Sequence, residues 1–189
     1  MYDWEVVITH HAKHTALVNG TRPGGKSCYT VLHQAAHGSA PVAVVKKLIT
    51  LGAWRTLRTS QGERAVDIAE RKGHTQFVSL LTPVLQREVA PDVLQAIQDH
   101  FHAVIRERMS EFNITTELRL PELEPLLELK HPTMWFPVSG MYSGFSYEVR
   151  TAADAPALIS ENESRMADGS GQRHLVSTHG SLLLDEGFI

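Results

Sequence analysis

Eleven histidines in 189 residues make metal binding and proton transfer the first chemistry to weigh. His10 and His14 stand four residues apart, the spacing that brings two imidazoles to one face of a helix, yet the glutamate of a helical metalloprotease motif is replaced by His11. His100 and His102 are two apart and would face different directions on a helix. His131, His174 and His179 share the C-terminal region with Glu148, Glu161, Glu163, Asp168, Asp185 and Glu186. Those residue types can build an acid–base or metal site, but antiparallel strands ordinarily turn them to solvent, and no spacing ties them together. Gly169-Ser170-Gly171 lacks the Lys-Ser/Thr and the helix of a phosphate loop, so it reads as a turn. Cys28, the single cysteine, has no disulfide partner within the chain and no arranged base. The residues assign no catalytic group, no metal and no cofactor, and they favour a binding protein over an enzyme.

The elements that would position a binding surface are more legible. Thr30-Val31-Leu32-His33-Gln34-Ala35-Ala36 and Arg64-Ala65-Val66-Asp67-Ile68-Ala69-Glu70 lie 34 residues apart, and each precedes a Val-bearing helical stretch. Leu32, Val44, Val45, Leu48 and Ile49 recur at helical spacing, while small Ala35, Ala36 and Ala69 let helices approach closely. Gly38, Gly52, Gly62 and Gly73 mark the changes from helix to turn, where positive φ is expected. A unit of this size cannot bury its apolar face alone, so neighbours must stack.

Gly25 to Gly52, with its Thr-Val-Leu-His-Gln-Ala-Ala opening, Val44 to Ile49 and Gly52-Ala53, resembles an ankyrin repeat. Gly62 to Pro83 resembles the same family with weaker letters, and Trp4 to Asn19 looks like the exit of a degenerate first repeat. The resemblance covers residues 3 to 84, about two and a half repeats. The C-terminal wording, Phe136-Pro137-Val138 to Gly140-Met141-Tyr142 and Gly169 to His174, is similar to that of bacterial ankyrin proteins and implies no activity. The resemblance implies that His33 is a structural ring bonded to neighbouring backbone, that Asp67 stands in for it one unit later, and that His74 is likewise structural. It also implies that the segment after Gly52-Ala53 is a protruding finger. Trp54, Arg55, Arg58 and Arg64 there are the expected partner-binding residues, Trp and Arg being the types most enriched at binding hot spots. The competing reading covers Trp54 with another part of the same chain.

Beyond Pro83, Val93, Leu94, Ile97, Phe101, Val104, Ile105 and Arg108 to Met109 trace one apolar edge, which predicts a helix over 91–112 starting at Pro91 and packed across the last repeat. Leu120 to Leu129 reads equally as a short helix from about Pro121 or as an extended connector. From His131 the helical period gives way to clustered aromatic and β-branched residues. Strands are expected at Met134–Val138, Phe145–Thr151, Ala157–Met166, Arg173–Thr178 and Ser181–Asp185, with His179-Gly180 as a two-residue hairpin turn. Such a sheet needs cover on one face, from the helix at 91–112 or the acidic linker.

The expected fold is therefore α+β: an ankyrin-type helical hairpin stack at 1–84, a capping helix and linker at 85–130, and a small antiparallel β unit at 131–189. Residues 1–84 carry ten Lys and Arg against five Asp and Glu, whereas residues 85–189 carry eight against sixteen. The partner expected is another protein, with an acidic surface suiting the basic half; opposed charges and a short stack also allow self-association. A net charge of −3 with no basic run interleaved with aromatics argues against nucleic acid, and no apolar run approaches a membrane span. The N-terminus has no basic n-region before an apolar stretch, so a cytoplasmic location is expected. The rival function is a ligand-binding or hydrolytic β unit, marked by a pocket lined by His174, His179 or Tyr142 beside carboxylates.

Overall fold

A computed structural model describes residues 3–22, 24–115, 118–140, 143–151, 155–163 and 171–187. The chain is α+β and divides into two compact units, Met1–Val84 and Leu85–Ile189. Tyr142, Asp168, Gly169 and Ser170 fall outside the described residues.

The first unit holds helices α1 (Trp4–Lys13), α2 (Val31–His37), α3 (Val42–Thr50), α4 (Ala65–Arg71) and α5 (Val78–Leu81), with single 3-10 turns at Thr15–Leu17 and Thr75–Phe77. α2 packs against α3 and α4, and α1 packs against α3, so alternate helices lie side by side in two rows. Leu32, Ala35, Ala36, Val45, Leu48, Ile68, Ala69, Phe77 and Leu81 are fully buried between them, while Val44 and Ile49 are half-buried at the margin. The alanines are where α2 and α4 meet, which is where a larger side chain would force the helices apart.

Helix ends repeat as well. α4 closes with Gly73 at φ +72°, the Gly73 N–H donating to Glu70 O and the His74 N–H donating to Ala69 O at 2.8 Å. Thirty-four residues earlier α2 closes in the same way, the Ala40 N–H donating to Ala35 O at 3.1 Å, but the left-handed residue is Ser39 at φ +49° and Gly38 sits at φ −88°. The expectation of positive φ at Gly38 is thus corrected by one position, whereas Gly52 and Gly62 have it. A glycine next to a turn does not have to be the residue that needs one.

The second unit pairs one long helix, α6 (Pro91–Glu111), with a five-stranded antiparallel meander: β1 (Thr133–Val138), β2 (Ser143–Arg150), β3 (Ala157–Glu163), β4 (Gly171–Ser177) and β5 (Gly180–Gly187), in that spatial order. Five strands lie where five were expected. The last turn is Thr178-His179, not His179-Gly180, because Ser177 pairs with Gly180, which opens β5 at φ +136°. Residues 120–129 contain a single 3-10 turn, Glu124–Leu127.

Leu94, Ile97, Phe101, Val104, Ile105 and Met109 of α6 are buried in one core with Val138, Phe145, Tyr147, Val149, Leu158 and Val176 of the sheet. Phe101 meets Phe145 edge-on at 6.2 Å and Tyr147 at 5.0 Å. The apolar edge expected to lie across the last repeat is thus the cover of the sheet. A helix of this length carries one apolar stripe, and the sheet face is large enough to take all of it.

Candidate functional site

His33 is buried at the third position of α2, where its ring reaches back to the residue that caps the helix. Nδ1 lies 3.1 Å from Thr30 N and 2.8 Å from Thr30 Oγ1, and Nε2 lies 3.0 Å from Leu57 O. The Thr30 amide can only donate and the Leu57 carbonyl can only accept, so the ring is neutral with its hydrogen on Nε2. One side chain therefore caps α2 and fastens the loop 24 residues downstream. Asp67 holds the equivalent place in α4 and accepts the Arg64 N–H at 2.7 Å, giving the cap without the long-range latch. His74 adds a third tie, its Nδ1–H donating to Ala36 O at 2.8 Å.

The four expected partner-binding residues lie in the loop so fastened, and none of them is fully exposed. Trp54 is half-buried, its backbone N–H donating to Asn19 Oδ1 at 2.8 Å, while Asn19 Nδ2 donates to Gly52 O at 2.9 Å. Arg55 Nε donates to Leu80 O and Arg58 Nη1 donates to Gly62 O, each at 2.8 Å, and Arg64 is half-buried at the start of α4. These side chains hold the loops in shape. The freer groups are at the loop tips, where a cavity of about 340 Å³ is lined by Lys26, Ser27, Tyr29, Thr59, Ser60 and Gln61. The Ser60 N–H donates to Ser27 O at 3.0 Å and joins the two tips. Sequence reasoning passed over them, although Lys26 and Ser27 stand 34 residues before Ser60 and Gln61, at the period of the repeat. Nearby, Arg71 forms a fork on Glu63 at 2.7 and 3.0 Å and draws the Glu63 carboxyl below its ordinary range.

In the second unit, a cleft of about 250 Å³ opens between α6 and the β4–β5 hairpin, lined by Val104, Glu107, Arg108, Glu111, Gln172, His174, Ser181 and Leu183. Arg108 is buried, hydrogen-bonded to Glu111, and its guanidinium lies 4.8 Å from the Phe112 ring centre. Burial lowers the affinity of His174 for a proton and Arg108 adds to that, while Glu107, Glu111 and Glu186 oppose it. Contrary to the expectation for strand histidines, His174 is on the helix-facing side of the sheet, directly opposite Ser160.

That pairing sets an imidazole beside a hydroxyl and carboxylates, the parts list of a nucleophilic site. The parts are not joined: Ser160 Oγ is buried and has no hydrogen-bond partner among the described residues, so no base is drawing its proton. His179 is exposed in the hairpin turn, its Nδ1 3.1 Å from Thr178 Oγ1. On α1 the ring centres of His10 and His14 are 5.0 Å apart. Among the described residues no group of three or more His, Cys, Asp or Glu is arranged to hold a metal ion, and no helix is long and apolar enough to cross a membrane.

Comparison of the chain with protein-family models, with curated proteins and with solved structures gives no match.

Proposed function

We propose that the chain is a non-catalytic, ankyrin-type scaffold that grips another protein through the loops and inner helices of its first unit. The observation that carries this reading is the pair of N3 side chains, His33 and Asp67, each bonded to the amide that starts its helix at a 34-residue interval. Repeating units of this kind stack because none buries its apolar side alone, and the stack leaves an extended face for recognition. The net positive balance of residues 1–84 favours a partner with an acidic surface, and the cytoplasm is the compartment this reading implies.

The partner face is assigned to Trp54, Arg55, Arg58 and Arg64 together with the loop tips Lys26, Ser60 and Gln61. Affinity capture from cells of origin should compare the wild-type chain with a Lys26→Glu, Ser60→Glu, Gln61→Glu variant, whose side chains lie outside the core. The reading predicts that specific partners are lost while the far-UV circular dichroism spectrum is unchanged. Retention of every captured partner would refute it.

A second reading, a ligand-binding β unit, draws support from the cleft around His174, Glu107 and Glu111. Chemical-shift mapping with a library of small polar compounds separates the two, since only this reading expects shifts confined to α6, β4 and β5.

A further inference from the structure

The two edges of the sheet are treated differently. β1 carries Pro137 within the strand, which removes an outward donor and blunts that edge as a template for pairing. β5 has β4 on one side and no described strand on the other, contains no Pro and no Lys, and is exposed at every residue between its terminal glycines. Leu182, Leu183 and Leu184 stand in a row along it, with Leu182 60% exposed. A single irregularity in its pairing with β4, between Arg173 and His174, leaves the Gly180–Leu183 stretch in regular register.

On the sheet face away from α6, Ile159 pairs with Leu175 and Leu175 pairs with Leu182, so an aliphatic row crosses β3 and β4 and ends at the open edge of β5. The next row, Glu161, Arg173 and Asp185, is charged, with Arg173 Nε 2.9 Å from Glu161. The apolar strip is therefore narrow, and it stops where the sheet stops.

We propose that β5 is a homodimer edge: two copies of the chain pair antiparallel through β5, with Leu182 opposite Leu182 of the second copy. Two features select a second copy as occupant. A two-fold axis at Leu182 joins the two aliphatic rows end to end, giving Ile159–Leu175–Leu182 and its twin as one strip across six strands. The same axis keeps like charges apart. Asp185 and Glu186 at one end of β5 fall opposite His179 and Thr178 of the other copy, a turn that offers hydrogen-bond donors and no carboxylate. The interface is isologous, so pairing closes at two chains and the sheet becomes ten-stranded.

Sedimentation equilibrium of the full chain over a wide concentration range tests this, with wild type compared to Leu182→Lys and to Leu182→Cys. Wild type should reach twice the chain mass, and Leu182→Lys should raise the dissociation constant at least about tenfold with an unchanged circular dichroism spectrum, since an edge lysine opposes strand pairing. Leu182→Cys should form a covalent dimer on mild oxidation, with the linkage mapped by peptide mass spectrometry to position 182. Wild type sedimenting at the single-chain mass at every concentration overturns the proposal, as does a dimer that Leu182→Lys leaves intact. A monomer whose β5 amides become protected only by a foreign extended peptide also overturns it, and assigns the edge to that peptide instead.

Discussion

The two units answer the same problem, how to bury an apolar face, by opposite means. In the first, short helices are held by long-range ties from side chain to backbone: His33 to Leu57, His74 to Ala36, Arg55 to Leu80 and Asn19 to both Gly52 and Trp54. In the second, one helix of 21 residues lies on a sheet and the cohesion is apolar, centred on Phe101, Phe145 and Tyr147. A unit of short helices has too few turns to be stable by propensity alone, so it depends on directional bonds between layers. A meander with a covering helix needs no such bonds, because the strands already satisfy one another. The difference predicts which kind of substitution harms which unit.

The largest effect belongs to the apolar core. Phe101→Ala should destabilise the second unit by about 3–5 kcal/mol, the usual cost of emptying a buried aromatic site. Hydrogen exchange should show the protection lost mainly in β2 and β3, the strands that carry Phe145 and Tyr147.

Next is the latch. His33→Ala removes the cap of α2 and the bond to Leu57 together, leaving a buried amide and a buried carbonyl without partners, at about 2–4 kcal/mol. Asp67→Ala removes only a cap and should cost about 1 kcal/mol. Urea denaturation of the two variants gives the comparison directly; equal losses would show that the Leu57 bond contributes nothing.

Acidification should come third and fall more heavily on the second unit. Burial holds His102 and His174 below their ordinary value of 6.5 in the folded chain, and His11 of the first unit is lowered by burial and by His10 and His14. A histidine with a lowered folded pKa binds its proton more readily when unfolded. Stability is therefore fully present above about pH 6.5 and declines as the pH falls through the range between the unfolded and folded values. Thermal melts at pH 7.5 and 5.5 should show the drop, and His102→Asn should reduce it. The smallest effect is expected at Ser160→Ala, which deletes a buried hydroxyl with no partner and should leave the melting temperature unchanged or slightly raised.

The contrast also explains what the sequence could disclose. The 34-residue period, the helix over 91–112 and the five strands were legible because each rests on a local pattern of residue types. The role of Arg55 was not legible: an arginine after a turn reads as a surface cation, and only its 2.8 Å bond to Leu80 O, 25 residues away, makes it a brace. The neighbourhood of His174 was hidden for a similar reason. Whether a strand histidine faces a helix depends on register, and β4 shifts its pairing with β5 next to that residue. Ser39 taking the left-handed place beside Gly38 shows the limit at the scale of one residue.

The account stands on the two helix-capping side chains acting at equivalent places in successive layers. Amide hydrogen exchange of Thr30 and Arg64, measured in wild type, His33→Ala and Asp67→Ala, reads this most directly. Both amides should be protected in wild type, each substitution should expose its own amide, and His33→Ala alone should also loosen residues 56–59. Free exchange of Thr30 in the wild-type chain would contradict the account.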